Sequence, residues 1–584
     1  MDYDVIVVGG GPAGSTAASV LLTYAPDMKV LILERESFPR DHVGESQLPS
    51  IGPILDEIGV WDKVEAANFP VKVGASYTWG RNNDRWDFDF VPVEDLGDIP
   101  RPGTFDGPRR FTAFQVDRAI YDNILLEHAM SLGAEVRQET RVTKINRDGD
   151  RINSVEIDSG ETFTARHFID ATGTVGLFRR VFDIGADVPE ALKNIAVWDY
   201  WQNTKWAVEI GVGATRVQVR SLPYGWLWFI PLGPTRTSIG LVCPAKYYKE
   251  SGKSPEELYI DAVMSQEEIA GLIEDAEREG NGIETCKDYS NLPERVTGEN
   301  WFLVGEAAGF ADPILAAGMS IAHSSARDAA YTILELDRGE IDGDWLKERF
   351  DYRSRSNVQQ HIRFAQFWYS ANSNFTELTE HCAEIAKEAG LKLRPKEAWR
   401  WLSQGGFTTE FLEIPSIGSF DLSTMRSIIG RFDKRGSKSK FLAHGYNDFK
   451  LNLKGATKEM LGQLENGRIK QIECWVRGES RLPIAGLYQV MLTVLETTSD
   501  ISEIVEELRA YFPAQSEYAG AGSQFSLCMQ TLDMMITEHW VTRSINKKRP
   551  MLSMTTNRSR NIRDGRDADE AIRDSEVTSF VTNI

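Results

Sequence analysis

The first 34 residues constrain the fold more than any other stretch. Asp4-Val5-Ile6-Val7-Val8 is a short apolar run that reads as a buried strand. It opens directly into Gly9-Gly10-Gly11-Pro12-Ala13-Gly14, a Gly-x-Gly-x-x-Gly. The alanine-rich stretch Ser15 to Leu22 reads as a helix, and a second strand, Val30 to Leu33, ends at Glu34, 20 residues past Gly14. Glycines there allow a tight turn and let backbone N–H groups approach a pyrophosphate, while the helix N-terminus adds the positive end of its dipole. Glu34 can accept hydrogen bonds from a ribose. Strand, glycines, helix, strand and acid in register predict a dinucleotide-binding α/β unit, with Gly9, Gly11, Pro12, Ala13, Gly14 and Glu34 at its contacts.

At 584 residues, with 42% hydrophobic and 26% charged, the chain has room for two or three globular domains. No run approaches the ~18 consecutive apolar residues of a membrane span, so none is expected. A net charge of −21 argues against nucleic acid, whose binding needs a basic footprint. The five cysteines (Cys243, Cys286, Cys382, Cys474, Cys528) have neither metal-ligand nor disulfide spacing. The N-terminus lacks a basic n-region. Together these point to the cytoplasm and to no bound metal.

Other stretches carry chemistry. In Trp226-Leu227-Trp228-Phe229-Ile230-Pro231, period-2 alternation puts both tryptophans on one strand face, and Pro231 can end the strand. Taken alone, such a pair is ordinary core aromatics. Lys72 starts a strand ahead of Gly74-Ala75 and Trp79-Gly80; taken alone, it is a surface lysine with its stem on apolar surface. Phe38-Pro39-Arg40-Asp41-His42-Val43-Gly44-Glu45-Ser46 precedes a helix, and its last residues read as a cap. Gln115-Val116-Asp117-Arg118 opens a helix through Asp122, Leu125 and Leu126; Arg118 by itself is a helix-surface charge. Phe168 to Gly173, with Asp170, and Trp301 to Glu306, with Gly305, are strand-to-turn segments. Phe310-Ala311-Asp312-Pro313-Ile314-Leu315-Ala316-Ala317-Gly318 is a small-residue turn entering a helix at Met319, a backbone setting for an anion.

Taken together, these segments resemble the flavin-dependent halogenases, of hydroxybenzoate-hydroxylase-like FAD fold, over roughly residues 1 to 370. The resemblance implies FAD rather than NAD. It makes Arg40, Glu45, Ser46, Arg118, Asp170, Gly173, Gly305, Glu306 and Pro313 further cofactor contacts, with Glu306 standing where Asp is usual. It implies that Trp226 and Trp228 wall the flavin off from the organic substrate, and that Lys72 delivers the halogen. The halide would lie against the backbone of Ala317 and Gly318, where Ala316 replaces the family's serine. Leu315 stands where tryptophan halogenases carry a glutamate, so an already electron-rich ring, a phenol or a pyrrole, is expected as substrate, free or tethered to a carrier protein. Chloride or bromide would be oxidised to hypohalous acid with reduced FAD and O2, the flavin being reduced by a separate flavin reductase. Alternatives are a flavin monooxygenase or saturating reductase of the same superfamily, or a non-catalytic FAD-binding relative.

The expected fold class is α/β (α+β): a Rossmann-like FAD-binding domain with an interleaved antiparallel-sheet substrate domain and a mostly helical C-terminal region. The domains expected are 1–70, 105–190 and 295–350 for FAD binding; 71–104 and 191–294 for the sheet-rich halogenation domain; 351–449 as a helical cap; 450–542 as a small helical, winged-helix-like module; and 543–584 as a polar tail. A helix is expected around Trp399, Trp401 and Leu402, ended by Gly405-Gly406. Phe364, Phe367, Trp368 and Tyr369 are expected to line the substrate pocket or to pack against the flavin domain.

Overall fold

The computed structural model describes residues 1–80, 85–91, 96, 100–207, 213–280, 282–287, 290–388, 416–417, 420–421, 428–429, 432, 442–478, 480–511, 517–518, 522–551, 553–556, 562–564 and 580–583. The helix expected around Trp399, Trp401 and Leu402, with its end at Gly405-Gly406, lies outside them, as do parts of the tail expected at 543–584.

Apolar runs without alternation build a parallel sheet buried on both faces. Its order is Trp301–Leu303, Ala165–Asp170, Tyr3–Val8, Val30–Leu33, Glu135–Arg137, every pair parallel. The Pro12–Tyr24 helix follows the first strand and packs on the Gly318–Arg338 helix. His323 pins three helices here. Its Nδ1 lies 2.8 Å from Thr16 Oγ1 and its Nε2 2.9 Å from the Tyr121 hydroxyl. Burial pushes its pKa down to about 3, so the ring is neutral and acts as one donor and one acceptor.

A larger, mostly antiparallel sheet stands against this unit. Its order is Glu277–Arg278, Asn194–Gln202, Arg236–Pro244, Gly225–Pro231, Ala214–Leu222, Val71–Thr78, Arg85–Asp89 and Ile562–Asp564. Two short strands, Glu284–Lys287 and Ala113–Phe114, pair with Asn194–Gln202 and Val71–Thr78. The pairing of Ile562–Asp564 with Arg85–Asp89 brings part of the polar tail onto this sheet.

One irregularity decides which face Lys72 takes. Val71–Thr78 runs parallel to Ala214–Leu222, with Lys72 opposite Thr215 but Gly74 opposite Arg216, so Val73 is an extra residue. Such a bulge flips the alternation. Counting by twos from Ala75 and Tyr77 would send Lys72 to the opposite face. With the bulge, Lys72 shares the parity of Val217 and Val219, and Val219 pairs with Trp228. Val71 and Val73 pack into the core of the parallel sheet, whereas Ala75, Tyr77 and Trp79 join the core that holds Trp226 and Trp228.

The Gly343–Ser370 helix brings Phe364, Phe367, Trp368 and Tyr369 into that same core. Residues 450–542, expected as a helical module, contain the helices Gly486–Thr497, Ile501–Tyr511 and Gln524–Thr537. They also contain a three-stranded antiparallel sheet, Thr457–Glu465, Arg468–Arg477 and Ser480–Pro483, which the helical reading lacks. The hairpin tip Asn466-Gly467 docks on the Gly318–Arg338 helix: the Gly467 N–H donates to the Tyr331 hydroxyl at 3.1 Å, and Arg338 donates to the Gly467 carbonyl at 2.7 Å. Leu487, Tyr488, Met491 and Leu532 share the apolar core of Trp226.

Candidate active site

The glycine-rich turn is packed too closely for any side chain at two positions. A Cβ on Gly14 would stand 1.9 Å from the Gly9 carbonyl oxygen, and one on Gly9, whose φ is +109°, 2.3 Å from the Ala171 oxygen. Gly11 differs: a Cβ there meets only Arg40 Nη2 at 3.5 Å, so its surface is open to a ligand. Pro12 and Ala13 begin the helix, and a Cβ on Gly305 would lie 3.1 Å from the Ala13 Cβ. The two turns singled out in sequence, 9–14 and 305–306, are therefore adjacent. Glu34 is buried and binds backbone: Oε2 accepts from the Gly10 N–H at 2.6 Å and Oε1 from the Glu36 N–H at 2.9 Å. Gly173 (φ +64°) faces Glu306, whose carboxyl burial raises against the pull of Arg118. Asp170 spends its oxygens on its own turn, accepting from the Thr172 and Phe178 N–H groups at 3.0 and 2.6 Å.

Arg118 is not a surface charge. It is 7% exposed, forks onto Asp122 at 2.7 and 2.8 Å, and donates to the Val43 and Gly44 carbonyls at 2.9 and 3.1 Å. Arg40 pairs with Glu36 at 3.2 Å and reaches Asp122 at 3.8 Å. Gly44, at φ +97°, and the Glu45–Ser46 pair after it are therefore held by distant parts of the chain, with the Glu45 carbonyl accepting from the Val116 N–H at 2.8 Å. Ser46 bridges to Gln115, and the next turn, Pro49–Ile51, has Leu48 as its N-cap with no side-chain cap bond. The capping reading of Ser46 is corrected on this point: the segment is claimed by distant backbone before it can serve the local helix.

Along this segment lies a row of unsatisfied polar atoms. Glu45 Oε1, Ser46 Oγ, Gln47 Nε2 and both polar atoms of Gln115 are buried without a hydrogen-bond partner among the described residues. Buried polar atoms are nearly always paired, so such a row marks a surface shaped for a polar ligand. With the glycine cradle, it fits FAD. Sequence alone marks neither Gln47 nor Gln115 as a contact, because what sets their side chains apart is burial.

Lys72 lies beside this row. It is 2% exposed, its amine donates to the Gln47 carbonyl at 2.8 Å and stands 5.5 Å from the Phe90 ring centroid, and burial pushes its pKa down to about 7. It is not the surface lysine that the residue type suggests. Trp226 and Trp228 sit on one face of Gly225–Pro231 with centroids 6.1 Å apart, extended by Trp198 and Trp79 at 6.4 and 6.5 Å. Trp228 lies flat on Gly240, where a Cβ would stand 2.1 Å from its ring. Its indole N–H donates to Ser238 Oγ at 3.1 Å. Burial raises the pKa of the nearby Glu45 carboxyl to about 7, against the smaller opposing pull of Tyr200 and Ser238.

The Phe310–Gly318 segment forms a 3-10 turn, Pro313–Leu315, capped by Asp312. Ala316 follows in the left-handed region (φ +54°) and Ala317 in the right-handed one. For a non-glycine residue the left-handed conformation costs about 1–2 kcal/mol. That left–right pair makes a nest of backbone N–H groups at the start of the Gly318–Arg338 helix, whose first N–H groups have no acceptor within the helix. A Cβ on Gly318 would meet the Phe310 ring at 2.8 Å, which accounts for the glycine.

Comparisons with known proteins bear on the family and the fold. The family model described as "FAD binding domain" matches residues 2–365. The chain is 33% identical over 396 residues to the 1H-pyrrole-2-carbonyl-(peptidyl-carrier protein) chlorinase of Pseudomonas fluorescens, covering 65% of this chain and 86% of that one. It is 33% identical over 349 residues to the tryptophan 2-halogenase of Chondromyces crocatus, covering 58% and 62%. The solved structure of CmlS, a flavin-dependent halogenase, shares the fold over 94% of this chain and 97% of that one, with a TM-score of 0.70 at 24% identity. That likeness extends the shared fold through the C-terminal region. No described helix is long and apolar enough to cross a membrane. With the FAD-binding model matching more than half of the chain and the chlorinase covered over 86% of its length, the chain belongs to the FAD-dependent halogenases.

Proposed function

We propose that this enzyme halogenates an electron-rich aromatic ring, a phenol or a pyrrole, with hypohalous acid delivered by Lys72. The observation that carries the proposal is the bulge at Val73, which turns a buried amine onto the tryptophan face. The likeness to a chlorinase named for a carrier-bound pyrrole supports a tethered substrate. Leu315 supports the choice of an activated ring, since it has no group that can serve as a base. We assign reduction of the flavin to a separate reductase, and the cytoplasm as the compartment. The five free cysteines support a reducing environment.

Reduced FAD, when bound, supplies with O2 the oxidising power that turns halide into hypohalous acid. The residues assigned to hold it are the 9–14 turn, Glu34, Arg40, the Glu45–Ser46 segment with Arg118 behind it, and the Asp170, Gly173, Gly305, Glu306 and Pro313 turns. The protein holds the halide at the Ala317 and Gly318 N–H groups. The tryptophan wall keeps solvent and organic substrate from the flavin side. At Lys72 the neutral amine takes the halogen: an N–halogen bond forms, the O–halogen bond breaks, and water leaves. The ring then takes the halogen from nitrogen and loses a proton.

Only the unprotonated amine can take that step, so the product rate at saturating reduced FAD is expected to climb with pH and level off above about 7. A stopped assay on a simple phenol or pyrrole across pH 5.5–9 checks this. A rate that falls through neutrality would mean that Lys72 acts as an ammonium hydrogen-bond donor instead. Bromide is expected to be preferred, because Ala316 leaves more room than a serine at the halide turn. Equal bromide and chloride should then give mainly brominated product, and a clear chloride preference would refute the point.

The wall also offers a test. Gly240→Val puts methyl groups where the Trp228 ring lies. Overpacking of this kind costs about 1–3 kcal/mol and displaces the indole. The share of oxidised halide caught by a soluble hypohalous-acid trap is expected to rise several-fold over wild type, while FAD content stays unchanged.

A further inference from the structure

One buried carboxylate in the halide turn has no role in the steps above. Asp312 is 2% exposed. Its Oδ1 accepts from the Ile314 N–H and from the Tyr369 hydroxyl, each at 2.9 Å, and its Oδ2 accepts from Asn194 Nδ2 at 3.1 Å. Tyr369 closes the circuit, because its oxygen accepts the Trp226 indole N–H at 2.9 Å. Trp226, Tyr369 and Asn194 are all 5% exposed or less.

Four separate parts of the chain meet at this carboxylate: the turn leading to Ala317 and Gly318, the last turn of the Gly343–Ser370 helix, the start of the Asn194–Gln202 strand, and, through Tyr369, the strand of the tryptophan wall. We propose that Asp312 and Tyr369 are positioning residues that lock Trp226 to the halide turn, so that halide binding and closure of the wall depend on one another. The proposal rests on the reading of Ala317 and Gly318 as the halide site.

The geometry supports it in three ways. Asp312 caps the 3-10 turn, so its loss would release the strained Ala316 and shift the N–H groups after it. Tyr369 is also packed edge-on against Trp79 and stacked with Phe375, centroids 6.0 Å in both cases, so its ring stays in place when only the hydroxyl is removed. Finally, the groups bonded to the carboxylate are neutral, and burial raises its pKa to about 7, so the turn is spared a permanent full negative charge beside an anion site.

The experiment uses the FAD-loaded enzyme and Tyr369→Phe, with Asp312→Ala, which removes the acceptor of both Oδ1 bonds, as a second variant in case the first does not fold. Two readouts are taken: the rise of Tm with bromide concentration, which reports halide binding without turnover, and the partition of oxidised halide between product and a soluble hypohalous-acid trap. Both variants are expected to need about tenfold more bromide for the same Tm rise and to send several times more halogen to the trap. A merely structural role would lower Tm or total turnover without moving the partition. Gly318→Ala serves as the control on the halide site. If it abolishes the bromide effect while Tyr369→Phe changes neither readout, the coupling is refuted and the halide site stands. If bromide leaves the wild-type Tm unmoved, the halide site is refuted and the coupling with it.

Discussion

Lys72→Met is expected to cut halogenated product by about 10²–10⁴-fold and to make the protein more stable. The two effects have one cause. The amine is 2% exposed and its pKa is lowered to about 7 by burial, against about 10.4 in an unfolded chain. Between those values the unfolded chain binds a proton that the folded chain does not, so stability at this residue rises with pH across about 7 to 10.4. Below about pH 7 both states are protonated and the destabilisation is complete, at about 1.4 kcal/mol for each tenfold loss of proton affinity on folding. Methionine has a similar length and no charge to desolvate. Its gain in Tm over wild type is therefore expected to be largest near pH 6 and to shrink towards pH 10. Thermal scans at the two pH values, beside product assays, check both halves. Loss of activity with loss of stability would show that Lys72 is a structural residue.

Gly14→Val is expected to abolish FAD retention. A Cβ at this position would stand 1.9 Å from the Gly9 oxygen, an atom of backbone that cannot swing aside, and valine adds two methyl groups beyond it. Because this variant also strains the fold, Gly11→Ala separates the two effects. There the new methyl meets only Arg40 Nη2 at 3.5 Å, an ordinary contact, and points to open space. The FAD-free protein should keep its Tm, while affinity for FAD falls about 10- to 100-fold, equivalent to 1–3 kcal/mol of overpacking against the pyrophosphate. Flavin absorbance after gel filtration and titration of the FAD-free protein measure these outcomes. Unchanged FAD affinity in Gly11→Ala would move the pyrophosphate away from the glycine turn.

The parts of this fold that depend on nearby residues were readable in sequence. The first strand, glycine turn and helix form within about 25 residues, and the two tryptophans need only the period of a strand to share a face. Long-range pairing was harder to read. Nothing near Lys72 announces the extra residue at Val73, which appears only as a register shift against Ala214–Leu222, more than 100 residues away. Ser46 reads as a helix cap because Ser and Glu favour such positions, but a bridge to Gln115 and the Arg118 bond to Gly44 hold its segment elsewhere. In the sheet of residues 457–483 the first strand, Thr457–Glu465, is largely solvent-facing and lacks an apolar alternation, whereas Ile472, Cys474 and Val476 of the second do alternate and could have been read as a strand. One local signal was present: Asn466-Gly467 links Glu465 and Arg468, both with positive φ, as a two-residue hairpin turn requires. The Asp312–Tyr369–Trp226 chain joins residues 57 and 143 apart, and only the folded chain brings them together.

The most direct test is the mass of the product. Purified enzyme would be combined with FAD, a flavin reductase, NADH, oxygen and both halides, and offered simple phenols, simple pyrroles and a carrier-tethered pyrrole. The expected product carries a bromine or chlorine isotope pattern and disappears when halide is omitted. A product heavier by one oxygen, formed equally well without halide, would make this chain a monooxygenase and contradict the proposed chemistry.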